Sequence, residues 1–484
     1  MTMAKKTSRS FVLAAVACMA LTGCNKTTST ATSTGTSTGG STATSTASTS
    51  TAPATGVQAV INQAHTMDWT DVYKKAMDEI DGQKMYATGN SSRGGTALER
   101  FLHCLQGQEP NGTSTDGKTL LWKDKTDYAV FKTYKPNFTF TYDWSDKTGG
   151  TIYDYVDGDI TGAKNLDMCM IQNASDLQSK EIETGNLLNY VPKEYVNTAD
   201  PTNVSPLGME NVAKVFMYNN KGTKKFSNMW DTVGDGIHPQ VMDITNETVG
   251  RNFLVMLTNE TYSAKVKAAY DALTDKTYAD TAIKYITDNN IATKYGITGD
   301  NAKYALAWDY LFLKQYTHMS DDGDTVANLA AAANTDQLGL LVYSKLRKIK
   351  ETTGVSVANV DLQAYNSDFA GIGGYSYKHY LQVFKTAPHP WTACALIHYM
   401  SCNKDGFYAW GKDLGSYPTN ESTGVDHTKD GQNIKGADGN LLPDVKTCDD
   451  KGWSWWKDKL VQEDPVYASK HAKLTVWFTS VTNG

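Results

Sequence analysis

Cysteine is scarce in this chain of 484 residues: seven are present, and only Cys104, Cys169, Cys394, Cys402 and Cys448 lie beyond residue 24. So odd and sparse a set excludes a disulfide scaffold. Cys394 and Cys402 fall eight apart on one predicted helix, about 12 Å along its axis, too far to bridge each other. Long apolar runs are also missing. Past the first 24 residues nothing approaches the ~18 consecutive apolar residues of a membrane span. Positive charge is not in excess, since the formal net charge is −6, so neither nucleic acid nor an anionic lipid surface is an expected partner. H-E-x-x-H and C-x-x-C do not occur, which removes the commonest signals of zinc peptidases and structural zinc. The nine histidines are scattered, and no metal or other cofactor is expected.

What is present begins with a targeting segment. Lys5, Lys6 and Arg9 precede an apolar run over residues 11–21 that closes on Leu21-Thr22-Gly23-Cys24. Residues 1–23 therefore read as a signal peptide, and Leu21-Thr22-Gly23-Cys24 resembles a bacterial lipobox, whose cysteine is diacylated and becomes the new N-terminus. The alternative is a plain secretory signal with an incidental cysteine. Acyl chains contribute about 0.8 kcal/mol per buried CH₂, enough for two or three chains to hold a folded domain at a membrane surface. Cleavage removes three cations and no anion, which takes the net charge from −6 to −9. Residues 25–56 are almost entirely Thr, Ser, Ala and Gly, so residues 24–56 are expected to be a lipidated cysteine and its tether. The expected location is the outer face of a bacterial cytoplasmic membrane.

The remaining 430 or so residues are too many for one core and suit two lobes. Strand and helix patterns alternate over residues 84–87 and 96–105, 138–142 and 151–157, and 167–171 and 175–184, which predicts a parallel α/β sheet. An apolar strand over 212–218 is placed as a first crossing between lobes, and the Gly-rich run 371–384 as the return. The expected division is lobe 1 over 57–214, lobe 2 over 215–375, hinge crossings near 212–220 and 371–384, and a return to lobe 1 with a C-terminal extension over 376–484. A single long helix is expected over 390–410, and another over 465–481.

The order of these pieces resembles the extracellular solute-binding proteins of ABC importers, in particular the subgroup that holds iron, polyamine and thiamine binders. Four segments carry the resemblance. Asp167-Met168-Cys169-Met170-Ile171-Gln172-Asn173 is similar to the family's strand ending in a polar cleft loop, and residues 185–192 fit its G-x-L-x-x-Y-x-P run. Val215-Phe216-Met217-Tyr218-Asn219 followed by Asn228-Met229-Trp230-Asp231 is similar to the hinge strand and the helix start behind it, and Thr386-Ala387-Pro388-His389-Pro390 to the A-P-H-P signature. The resemblance implies a two-lobed, type II periplasmic-binding-protein-like fold with two α/β lobes on a double-crossing hinge. It also implies a non-enzymatic, monomeric receptor that captures a small polar solute, one that can carry negative charge, and hands it to a permease with its ATPase. The alternative is an exported glycan-active hydrolase or a carbohydrate-binding surface lipoprotein.

Ligands of such a fold sit between the lobes at strand C-terminal ends, where helix N-termini point inward. That rule selects Asn90, Ser91, Ser92 and Arg93 after the first strand, Trp144 and Thr151 around the second, and Gln172 and Asn173 after the third. In the second lobe it selects Asn246, Thr248 and Arg251, with Tyr343 at a later strand end and Tyr375 at the return hinge. Each of these residue types also caps helices or fills turns, and that ordinary role is the competing reading. Arg93 and Arg251 begin helices in different lobes and are expected to meet one anionic group on closure. Iron-binding members present adjacent tyrosines; here Tyr375 and Tyr377 are one residue apart and are expected to face opposite ways, which argues against iron. Acidic groups of the kind polyamine binders need are not evident in the loops. Residues 112–119 fit the phosphate-loop expression G-x-x-x-x-G-K-S/T but lack its strand and helix, so a nucleotide role is not expected. Trp453-Ser454-Trp455-Trp456 is expected to be packing rather than a sugar platform.

Overall fold

In the computed structural model of this chain the described residues are 56–115, 119–147, 151–244, 247–333, 335–351, 354–411, 414–423 and 450–484. The signal segment, Cys24 and the tether as far as residue 55 lie outside them, as do Asn246 and Cys448. In the first lobe, strand β1 (Lys84–Gly89) leads to helix α1 (Arg93–Leu105) and β2 (Thr141–Asp146) to the helix Thr151–Asp157. β3 (Met168–Ile171) leads to a short turn at Ala174–Asp176 that continues into the π-helical Leu177–Ile182. β1 pairs in parallel with both β2 and β3.

The next strand, β4 (Gly208–Asn219), is buried over its whole length. Val212, Phe216 and Tyr218 enter one core and Ala213, Val215 and Met217 another, the period of two expected of a strand covered on both faces. The second lobe continues with β5 (Gln240–Met242), α2 (Thr248–Leu257), α3 (Ala302–Gln315), β6 (Thr317–Met319), α4 (Asp322–Ala330) and β7 (Leu338–Val342). The chain returns through β8 (Gly374–Phe384) into α5 (Pro390–Cys402). In one twelve-stranded mixed sheet the main path runs β2-β1-β3-β8-β4-β7-β5-β6, with β8 antiparallel to both β3 and β4.

The cores show what these two long strands do. Met209 at one end of β4 and Tyr380, Leu381 and Val383 at one end of β8 belong to the core of β1–β3, whereas Val212 and Phe216 with Tyr375 and Tyr377 belong to the core of α2 and α3. Both strands therefore pass from one core to the other, and the fold is the two-lobed type II arrangement on a double-crossing hinge. Gly374 is required where they meet: its φ is +149°, and a Cβ there would lie 2.2 Å from the Lys214 carbonyl oxygen.

Three sequence expectations change. The helix over 390–410 is two, α5 and Lys404–Gly411, because Asn403 is extended and its Oδ1 accepts the Asp405 N–H at 2.9 Å, ending one helix and capping the next. The helix over 465–481 is likewise two, Pro465–Lys470 and Leu474–Thr482. The C-terminal segment does not simply return to the first lobe: Leu460–Gln462 (β9) pairs in parallel with Gly374–Ser376, and Val461, Ala468, Leu474, Trp477 and Phe478 sit in the second core. Of residues 112–119, residues 116–118 lie outside the described residues; Gly112 and Thr113 end a strand, Gln108–Thr113, that pairs antiparallel with the strand Leu120–Asp124, where a phosphate loop would need a helix. Trp456 is fully buried against Tyr343 and Tyr365, with Trp455 on Tyr365, so the tryptophan cluster is packing. Cys104, Cys169, Cys394 and Cys402 are free thiols.

Candidate functional site

Where β4 and β8 cross, a cleft of about 660 Å³ opens, lined by loops of both lobes. From the first lobe come Asn90, Ser91, Ser92 and Arg93, with Asp146, Gln172 and Asn173. Asn90 ties the βα loops together: its Nδ2 donates to the Lys147 carbonyl at 2.9 Å, and its Oδ1 accepts the Gln172 N–H at 2.9 Å. Ser91 Oγ accepts the Arg93 N–H at 3.3 Å, and Asn173 caps the turn behind it. From the second lobe come Thr248 at the start of α2, the 318–320 segment, and Ser344, Lys345 and Arg347 beyond β7.

Several selected residues lie elsewhere. Trp144 is the platform under the first loop: its Nε1 donates to the Ser91 carbonyl at 2.9 Å, and its ring fills the place a side chain at Gly94 would need, 2.0 Å from an added Cβ. Thr151 is exposed on its helix, outside the cleft lining, and Arg251 stands in the first turn of α2, also outside the lining. The pairing of Arg93 with Arg251 across the cleft is thereby corrected: the second-lobe cations of the lining are Lys345 and Arg347. Tyr343 is buried against Trp456, and Tyr375 against Phe253, with its hydroxyl donating to Glu463 at 2.8 Å. The tyrosine at the cleft is Tyr377. Residues two apart on a strand share a face, so Tyr375 and Tyr377 point the same way, contrary to expectation; α2 covers the first and leaves the second at the cleft.

The floor of the cleft was missed by sequence reasoning. It is formed by alternate residues of the crossing strands, Glu210, Val212 and Lys214 on β4 with Tyr377 and His379 on β8. Glu210 and His379 stand in direct register, the Glu210 carboxylate meets His379 Nδ1, the Ser416 hydroxyl donates to Glu210, and Gln172 reaches His379 Nε2. Lys214, almost fully buried, lies 3.6 Å from Glu247 Oε2 and 3.7 Å from Asp322 Oδ1. Burial works against its ammonium, but the Asp322 and Glu247 carboxylates outweigh that and hold Lys214 above the usual lysine range. Burial, with the charges of Asp322, Glu210 and Glu247, pushes the Tyr377 phenol well up, so it is a neutral donor. The available signal was a Glu and a Lys four residues apart, hence on one face, inside a mostly apolar strand.

Among the described residues there is no cluster of three metal-ligating side chains and no helix long and apolar enough to cross a membrane. No protein-family model matches the chain, and no curated protein matches it in sequence. Solved structures do match. The Trichodesmium protein IdiA (FutA), in complex with iron and citrate ligands, is 14% identical, with 83% of this chain and 98% of that one covered at a TM-score of 0.47. A ferric binding protein from Campylobacter jejuni is 11% identical over 82% and 98% of the two chains, with a TM-score of 0.48. An ABC transporter substrate-binding protein from Bradyrhizobium japonicum is 11% identical over 83% and 99%, with a TM-score of 0.46.

Proposed function

We propose that this chain is the substrate-binding lipoprotein of an ABC importer, anchored through Cys24 on the outer face of the membrane and acting as a monomer. It captures a small polar solute between its lobes and delivers it to a permease. The observation that carries this reading is the cleft at the crossing of β4 and β8, lined by polar and charged groups from both lobes around a hinge of only two main strands. Closure then needs only a ligand with higher affinity for the closed state, and no reacting group. The carbohydrate alternative loses its main support, because the tryptophan cluster is spent in packing.

The ligand contacts we propose are Ser91, Ser92, Arg93, Gln172, Asn173 and Thr248, joined by Tyr377 and the rim residues Lys345 and Arg347. A thermal-unfolding screen of small metabolites tests the reading, since a ligand at a hundred times its Kd stabilises by about 2.7 kcal/mol. One class of solute should raise the unfolding temperature without being consumed. Turnover of that solute by the isolated protein overturns the binding-protein reading. Cys24→Ala should release the protein from membranes, and retention of that variant after a high-salt wash overturns the anchor.

A further inference from the structure

In the cleft Glu210 meets His379, Lys214 lies between Glu247 and Asp322, and Lys345 faces Asp321 at 3.8 Å, so these charges are answered within the protein. Two neutral side chains of the lining are different. Gln172, half-buried, brings its Nε2 to His379 Nε2, while its Oε1 is not enclosed and takes no hydrogen bond from the described residues. The Tyr377 hydroxyl is likewise not enclosed and has no hydrogen-bond partner among the described residues. Tyr377 and His379 stand on the same face of β8, their ring centroids 6.1 Å apart.

What Gln172 offers a ligand is set by the residues behind it. Glu210 is fully buried; its Oε2 accepts the Ser416 hydroxyl and its Oε1 touches His379 Nδ1. That oxygen and Nδ1 are both enclosed, and neither has another hydrogen-bond partner among the described residues. A carboxylate only accepts, so the proton sits on Nδ1. In a neutral imidazole the second nitrogen is then an acceptor, Nε2 takes the Gln172 side-chain N–H, and the amide oxygen is the atom left for a ligand.

Resting on the binding-protein reading above, we infer that the inner end of the ligand is a neutral hydroxyl or carboxamide group, which donates to Gln172 Oε1 and accepts from the Tyr377 hydroxyl. Glu210 and His379 are positioning residues that hold the Gln172 amide in that sense. A carboxylate or phosphoryl group has no hydrogen to give Gln172, and an ammonium group has no lone pair to take the Tyr377 hydrogen.

NMR of the full chain, labelled with the spin-active nitrogen isotope in histidine and in the glutamine side chains, tests both parts. At about pH 8, without ligand, His379 should be neutral with its proton on Nδ1, its signals assigned by their loss in His379→Gln. Glu210→Gln, whose amide donates as well as accepts, should lose that tautomer preference. Acetamide and ethylene glycol should shift the Gln172 side-chain amide saturably, and acetate and methylammonium should not. Tyr377→Phe, read at Gln172, and Gln172→Met, read at His379, should each weaken the acetamide response about threefold to tenfold. An imidazolium or an Nε2–H form of His379 in the parent overturns the inference. So do acetate or methylammonium acting as acetamide does, silence from all four probes, or a Gln172→Met variant that binds acetamide like the parent. In each of those cases a metabolite that stabilises the protein in the thermal screen leaves the binding-protein reading standing, and a screen without a hit fails that reading as well.

Discussion

Glu463→Ala would remove a single acceptor from four buried donors. The Glu463 carboxylate is fully buried beside the crossing strand β8 and takes the Tyr375 hydroxyl at 2.8 Å, the Tyr380 hydroxyl at 3.0 Å, the Lys378 N–H at 3.1 Å and Asn252 Nδ2 at 3.3 Å. Tyr375 belongs to the second core and Tyr380 to the first, so this one group ties both lobes to the hinge. Leaving buried partners unpaired costs about 1–3 kcal/mol each, and breaking a buried charged network by removing one member about 3–5 kcal/mol in all, since the terms are not additive. The expected loss for Glu463→Ala is therefore about 3–5 kcal/mol. For Glu463→Gln it is about 1–3 kcal/mol, because one oxygen acceptor survives. Burial pushes the Glu463 carboxyl above the usual range, partly offset by the Tyr375 hydroxyl and Lys378. A raised carboxyl pKa contributes stability that is full below the unfolded value of about 4.3 and is lost as pH rises through the folded value; Glu463→Gln should remove that slope. The assay is urea unfolding of parent and variants across that pH range, read as the midpoint at constant slope. A loss below about 1 kcal/mol for Glu463→Ala would refute the account of Glu463 as the tie between lobes.

The two hinge tyrosines should separate by readout: Tyr375→Phe lowers stability by about 1 kcal/mol with little effect on ligand affinity, and Tyr377→Phe does the reverse, checked by urea midpoints and calorimetry. Gly94→Ala should displace the Trp144 ring and lower both stability and affinity, seen as a shift in tryptophan fluorescence with a weaker ligand response, because the added Cβ would lie 2.0 Å from that ring. His389 is held above the usual histidine range by its hydrogen bond to Asp167, against the pull of burial. Its contribution is full below about pH 6.5 and falls as pH rises through the folded value, so the urea midpoint should decline over that window in the parent and less in His389→Gln.

The sequence alone carried the alternation that makes β1–β3 parallel, both crossing strands, and the residues Ser91, Arg93, Gln172 and Thr248 at the cleft, because periodicity and turn chemistry are local properties. Only the tertiary structure decided what reaches the cleft. Tyr375 and Tyr377 share a face of β8, and the packing of α2 over one of them separates core from site. Arg251 and Trp144 sit beside their loops in sequence, yet helix phase keeps the first out of the lining and the glycine at 94 draws the second beneath its loop. The floor was hidden for the same reason: Glu210, Lys214 and His379 acquire meaning only from the antiparallel register of two strands some 170 residues apart, which brings Glu210 opposite His379, and from Asp322 and Glu247 arriving on separate elements. Long-range register and packing are set by the summed burial of whole lobes, and no local pattern in the chain encodes which side chain they will leave at the bottom of the cleft.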